Sequence, residues 1–136
     1  MRVGMVGLAS LYWPIAIGRG LQERRSSASQ GEGVEFLAAA TLGADELAIR
    51  GTLGISAAEY AGRFKLRLYE QAEQMIARER LDTVVLITRH SQHALWAERL
   101  AALGMKMFIP KTFATTSWDA DRIVQAGMSS GVKIAV

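Results

Sequence analysis

Short runs of β-branched and apolar residues alternate along the chain with longer segments whose apolar positions recur every three or four residues. This is the pattern of a parallel sheet covered by helices. Arg2 to Gly7 is almost wholly apolar and reads as a strand buried on both faces. The helix after it is expected to start near Ser10, because Leu11, Ile15 and Leu21 fall near helical spacing and Pro14 fits only in the first turn, where its missing N–H costs nothing. Arg24 to Gly33, rich in Ser, Gly and charge, reads as a surface loop before a strand over Val34 to Thr41. Leu42 to Gly54 carries a weaker signal, with a short helix over Asp45 to Ile49. Ser56 and Glu59 hold the capping-box spacing that opens a helix through Tyr60. Phe64 to Tyr69 alternates as a strand, and Glu70 to Arg80 places Ala72, Met75 and Ile76 on one helical face.

Asp82 to Thr88 is the clearest buried strand. A helix follows from near Ser91, with Leu95, Trp96 and Leu100 on its apolar side and Gly104 at the position of a left-handed cap. Met105 to Ile109 is the next strand. Thr116 and Asp119 start a helix toward Met128, and Val132 to Val136 reads as a final strand. Right-handed crossovers make a doubly wound, Rossmann-type α/β fold the expected solution: one domain over 1–136, with a mostly parallel sheet of about six strands and helices on both faces.

Composition narrows the function classes. A chain of 136 residues, 50% apolar and 21% charged, suits one folded domain and argues against disorder. The absence of cysteine removes disulfide scaffolds, thiolate metal sites and thiol nucleophiles. A net charge of +3, scattered along the chain, argues against a nucleic-acid partner and leaves room for a small anionic ligand. Val3 to Gly18 imitates a secretion signal. Pro14, the glycines and the charged Arg19, Glu23, Arg24 and Arg25 oppose that reading, and the run falls short of the ~20 residues a membrane span needs. A cytoplasmic chain with no membrane partner is expected.

In a doubly wound sheet, ligands bind beyond the carboxyl ends of the strands, so four places matter: Gly7 to Tyr12, Thr41, Thr88 to His93, and Ile109 to Ala114. In the first turn only Gly7 matches the glycine fingerprint of dinucleotide sites outright. Ala9 is a small substitute at the second glycine position, and Tyr12 at the third is expected to push the helix away or force a different turn. The backbone near Ser10 and Leu11 offers helix N-terminal N–H groups to a phosphate, with ordinary strand-to-helix geometry as the alternative. Thr41 stands where an acid would hold the ribose hydroxyls of NAD. Asp45 is a substitute, a hydroxyl with Arg50 nearby would favour NADP, and a strand-capping threonine is the plain reading.

The whole chain, in order and most specifically from Leu81 onward, resembles the nucleotide-binding domain of the glucose-fructose oxidoreductase and inositol dehydrogenase family, Gfo/Idh/MocA. Asp82-Thr83-Val84-Val85-Leu86-Ile87-Thr88 resembles the strand leading to that family's Thr-Pro-x-x-x-His turn, with Thr88 and His93 at its ends and Arg89 in place of proline. Pro110-Lys111-Thr112-Phe113-Ala114 stands where the family has Glu-Lys-Pro-Leu-Ala, and Gly131 to Val136 resembles the last strand of that domain. The resemblance implies NAD or NADP as cofactor, Gly7, Ala9, Ser10, Leu11, Thr41, Thr88, Arg89 and His93 as cofactor-binding candidates, and Lys111 as the catalytic or substrate-orienting group. The implied reaction is NAD(P)-dependent oxidation or reduction of a sugar, cyclitol or related hydroxyl compound. A lysine there would polarise a substrate hydroxyl and steady the developing oxyanion. Pro110 removes the carboxylate that would fix its charge, and a solvated lysine after a strand is the alternative.

Family members carry a second α/β domain that supplies most of the substrate site. The chain is expected to be the cofactor domain without it, binding a dinucleotide but meeting a small hydroxyl substrate only together with such a domain. Self-association is left open. His90 and His93 lack a nearby third ligand, so no metal site is expected, and His93 is read as capping its helix or lining the cofactor cleft. Trp13, Trp96 and Trp118 are read as packing anchors, and the methionines as core filling. Tyr12, Thr41 and Pro110 favour an alternative of another class: a degenerate Rossmann module that binds a protein partner or a different small ligand.

Overall fold

The structure, a computed structural model, describes residues 1–10, 12–26, 33–43 and 45–136, with backbone alone at 24–26. Six strands form one sheet: β1 (Arg2–Val6), β2 (Glu35–Ala40), β3 (Arg67–Tyr69), β4 (Thr83–Leu86), β5 (Lys106–Phe108) and β6 (Ile134–Ala135). Their spatial order is β3-β2-β1-β4-β5-β6, and every pairing is parallel. This is the doubly wound order that reverses between β1 and β4. The helices are α1 (Trp13–Ser26), α2 (Asp45–Leu53), α3 (Ala57–Arg63), α4 (Ala72–Glu79), α5 (His93–Ala102) and α6 (Ser117–Ser130).

Period-two alternation along the strands separates two cores. Val3, Met5, Ala39, Val85 and Ile87 face α1, α2 and α3 with Ile49, Tyr60 and Phe64. Val6, Ala38, Ala40, Val84, Leu86, Met107 and Ile109 face α4, α5 and α6 with Met75, Trp96, Leu100 and Ile123. Gly4 lies where β1 meets the second core, and a Cβ there would run into Leu81 and Met75.

The local signals hold where they rest on hydrogen bonds. Ser56 Oγ accepts from Glu59 N (3.1 Å) while Glu59 Oε2 accepts from Ser56 N (2.7 Å), closing the capping box. Gly104, at φ +71°, and Met105 donate to Ala101 O and Leu100 O, which is the double bond of a Schellman end. Elsewhere the bounds move. Helix α1 begins at Trp13 rather than near Ser10 and keeps Pro14 in its first turn; it runs through 24–26, where a loop was expected, while 27–32 lie outside the described residues. β3 is shorter than Phe64 to Tyr69, because Phe64 closes α3 and is buried against Tyr60. A turn of 3₁₀ helix over His90–Gln92 precedes α5. Leu95 and Trp118 are 49% and 71% exposed, so neither anchors the core.

Candidate functional site

The N–H groups of the first three residues of the turn, Gly7 to Ala9, are turned inward. Gly7 donates to Ala40 O, Leu8 to Asp45 Oδ2 and Ala9 to Ile87 O, which lashes the turn to β2, α2 and β4 at once. Gly7 holds φ +85°, and a Cβ there would sit 2.9 Å from Ile87 O, so glycine is required for the chain to turn over β4. Two further donors stand at the start of α1. Tyr12 N and Trp13 N lie 3.5 Å from Ser10 Oγ, the outer limit of a hydrogen bond, and keep most of their donor strength for an anion at the start of α1.

Of the two outcomes expected of Tyr12, the altered turn is the one seen: α1 starts only at Trp13, Tyr12 stands ahead of it 63% exposed, and Trp13 packs edge-on against Phe108 at 5.8 Å. A cleft of ≈ 400 Å³ opens there, lined by Ala9, Ser10, Tyr12 and Trp13 on one wall and by Thr88, Arg89, His90, Lys111 and Thr112 on the other. It joins the ends of β1, β4 and β5 at the point where the strand order reverses. Ligand pockets are commonly of this size and position.

A second cleft of ≈ 400 Å³ lies beyond β2 and β3, lined by Thr41, Leu42, Gly43, Glu70, Gln71, Trp96 and Arg99 among others. Thr41 Oγ1 donates to Tyr69 O at 3.3 Å, which gives it the strand-capping role as well. The β3 end was not among the four strand ends singled out by sequence. Gln71 and Glu70, directly after the expected strand, were the available signal.

Three further candidates fall differently. Asp45 is buried and accepts from Leu8 N (2.9 Å) and Leu42 N (2.7 Å) through one oxygen, so it braces the turn instead of reaching a ribose. Burial raises its pKa, while those two N–H groups and the Arg89 charge oppose the rise. His93 is buried, with Nδ1 3.0 Å from Phe113 O; burial holds its pKa below the ordinary value, and it ties α5 to the loop after Lys111, its ring 5.4 Å from that of His90 on the first cleft. Arg50 pairs with Glu46 at 2.7 Å on the surface. Leu11 lies outside the described residues. Among them, no three His, Asp or Glu side chains converge as metal ligands. None of their helices is long and apolar enough to cross a membrane.

Compared with known proteins, the sequence matches the oxidoreductase family with an NAD-binding Rossmann fold, Gfo/Idh/MocA, over residues 1–136. The chain belongs to that family. Solved structures agree in fold. The WlbA dehydrogenase from Bordetella pertussis, in complex with NADH and UDP-GlcNAcA, is 20% identical with a TM-score of 0.68, covering 98% of this chain and 35% of its own. An oxidoreductase from Agrobacterium radiobacter, in complex with NAD+, L-tartaric acid and magnesium, is 17% identical with a TM-score of 0.70, covering 98% and 34%. Biliverdin reductase from Synechocystis sp. PCC 6803, in complex with biliverdin and NADP+, is 19% identical with a TM-score of 0.68, covering 99% and 37%. This Gfo/Idh/MocA chain thus spans about a third of the length of these structures. No curated protein matches it significantly.

Proposed function

We propose that residues 1–136 are the cofactor-binding part of an NAD(P)-dependent oxidoreductase acting on a sugar, cyclitol or related hydroxyl compound. The observation that carries this reading is the convergence of the first turn, the β4 end and Lys111 on one open cleft at the switch point. The groups present fit a dinucleotide in most respects. The Gly7 turn lets the chain pass over β4, Ser10 with the Tyr12 and Trp13 N–H groups faces a pyrophosphate, and Thr88 and Arg89 flank the nicotinamide side. The second cleft, with Thr41 on its wall, takes the adenosine half.

The nicotinamide supplies the hydride acceptor or donor. Lys111, exposed at the mouth of the first cleft, orients the substrate hydroxyl and offsets charge on its oxygen. A ribose-binding carboxylate is the missing feature: Thr41 replaces it and Asp45 is spent on backbone. That departure favours the second reading, a degenerate module with another ligand. Against it, neither Tyr12 nor Trp13 fills the cleft, which keeps its ≈ 400 Å³.

With Lys111 as the one candidate acid-base group carried over, turnover is proposed to draw on residues outside 1–136. The purified chain is expected to form no NADH or NADPH from sugars or cyclitols; sustained formation that depends on the chain would contradict this. Amide NMR mapping with NADH tests the binding mode. Shifts at both Ser10 and Thr88 and at Thr41 and Gln71 are expected, and the absence of shifts from both clefts would defeat the reading.

A further inference from the structure

The first cleft is cationic. Arg89 and Lys111 line it as its two charged side chains, no carboxylate shares that lining, and among the described residues neither forms an ion pair. The carboxylate whose field reaches Arg89 is Asp45, which is buried and committed to Leu8 N and Leu42 N. The second cleft differs: Glu70 and Glu73 line it, and its one arginine, Arg99, is paired with Glu73 and lies over the Trp96 ring. Two positions where the chain departs from the family segments quoted above, Arg89 for proline and Pro110 for glutamate, both make the first cleft region more positive. Unpaired cations held together at the rim of a concave site raise the local concentration of anions and, for arginine, present a fork that matches carboxylate or phosphate.

We infer that the substrate carries an anionic substituent, a carboxylate or a phosphate, seated by Arg89 together with Lys111. The inference rests on the proposed oxidoreductase reading for the word substrate, but the anion seat itself is measurable without it. Arg89 is the specificity-determining residue in this account. Lys111 serves both the anion and the reacting hydroxyl.

The test is binding to the 136-residue chain, followed by calorimetry. The probes are D-glucuronate, D-glucose 6-phosphate and neutral methyl glucoside, each with and without saturating NADH. At low salt one or both anions are expected to bind at least about tenfold tighter than methyl glucoside, the scale of one charge-assisted hydrogen bond. Whichever anion binds tighter identifies the substituent. Arg89→Gln is expected to remove most of the preference and leave only what Lys111 supplies, Arg89→Lys to keep more of it, and added salt to erode it. Persistence of anion binding in the presence of NADH supports the inference.

Displacement of both anions by NADH, with Arg89→Gln weakening NADH equally, would overturn it, because the cations would then serve the cofactor's own pyrophosphate. Equal or absent binding of all three probes would overturn it as well. Anion binding by a chain that does not bind NADH would sink the proposed oxidoreductase reading while leaving the seat standing. An unchanged unfolding midpoint in Arg89→Gln separates a lost contact from a lost fold.

Discussion

Two backbone N–H groups end on a single oxygen of Asp45, and that geometry decides what the residue does. Asp45→Ala would leave both donors without an acceptor, and a loss of about 2–4 kcal/mol of stability is expected by chemical denaturation, the cost of two stranded groups. Asp45→Asn keeps an oxygen in place for both and is expected to cost far less. The two carboxyl states also separate by pH. Because burial raises the folded pKa of Asp45, its contribution is full below the unfolded value of about 4 and is lost as pH rises through the folded value. Wild type is therefore expected to lose stability relative to Asp45→Asn between pH 4 and neutrality; the reverse trend in urea midpoints would refute burial as the dominant cause. His93 has the opposite sign, since its lowered pKa contributes above the unfolded value and is lost as pH falls through the folded one, and the comparison cancels it. Sequence offered Asp45 as a ribose ligand because nothing in local spacing reveals a bond to Leu8, 37 residues away.

At the scale of elements, α1 is held to α3 by a close approach and a buried hydrogen bond. Tyr60 Oη donates to Pro14 O at 2.6 Å, and Gly18 lies so close to the Phe64 ring that a Cβ would overlap it. Gly18→Ala gains helix propensity but forces a ring that is wedged beside Tyr60, so a net loss of about 1–3 kcal/mol is expected. Phe64→Leu in the same chain should relieve part of that loss, and simple additivity in the double variant would contradict the packing argument. Ser56→Ala, which opens the capping box of α3, is expected to cost about 1 kcal/mol. The capping box and the Gly104 terminus were legible because they are local chemistry within a few residues. The start of α1 and the length of β3 were not, because Trp13 settles on Phe108 and Phe64 on Tyr60, contacts made across the fold. Trp118 was misread for a similar reason: its spacing suits a core face, yet α6 presents it to the outside.

For the whole molecule, the order β3-β2-β1-β4-β5-β6 places both clefts on the carboxyl side of one parallel sheet. That much follows from alternating strand and helix patterns, since right-handed crossovers leave few other arrangements. The first cleft was legible as a set of strand ends, and Lys111, Arg89 and Thr88 do meet there. The second was half legible, because Thr41 was visible and its wall of Glu70, Gln71 and Arg99 depends on β3 lying beside β2. The central claim is that this fold holds a dinucleotide across those clefts in spite of its altered first turn. Calorimetric titration with NADH and NADPH, each at low and moderate salt, tests it most directly. The account predicts saturable one-to-one binding of at least one of them, weakened by salt; no heat from either, with circular dichroism reporting a folded chain, would contradict it.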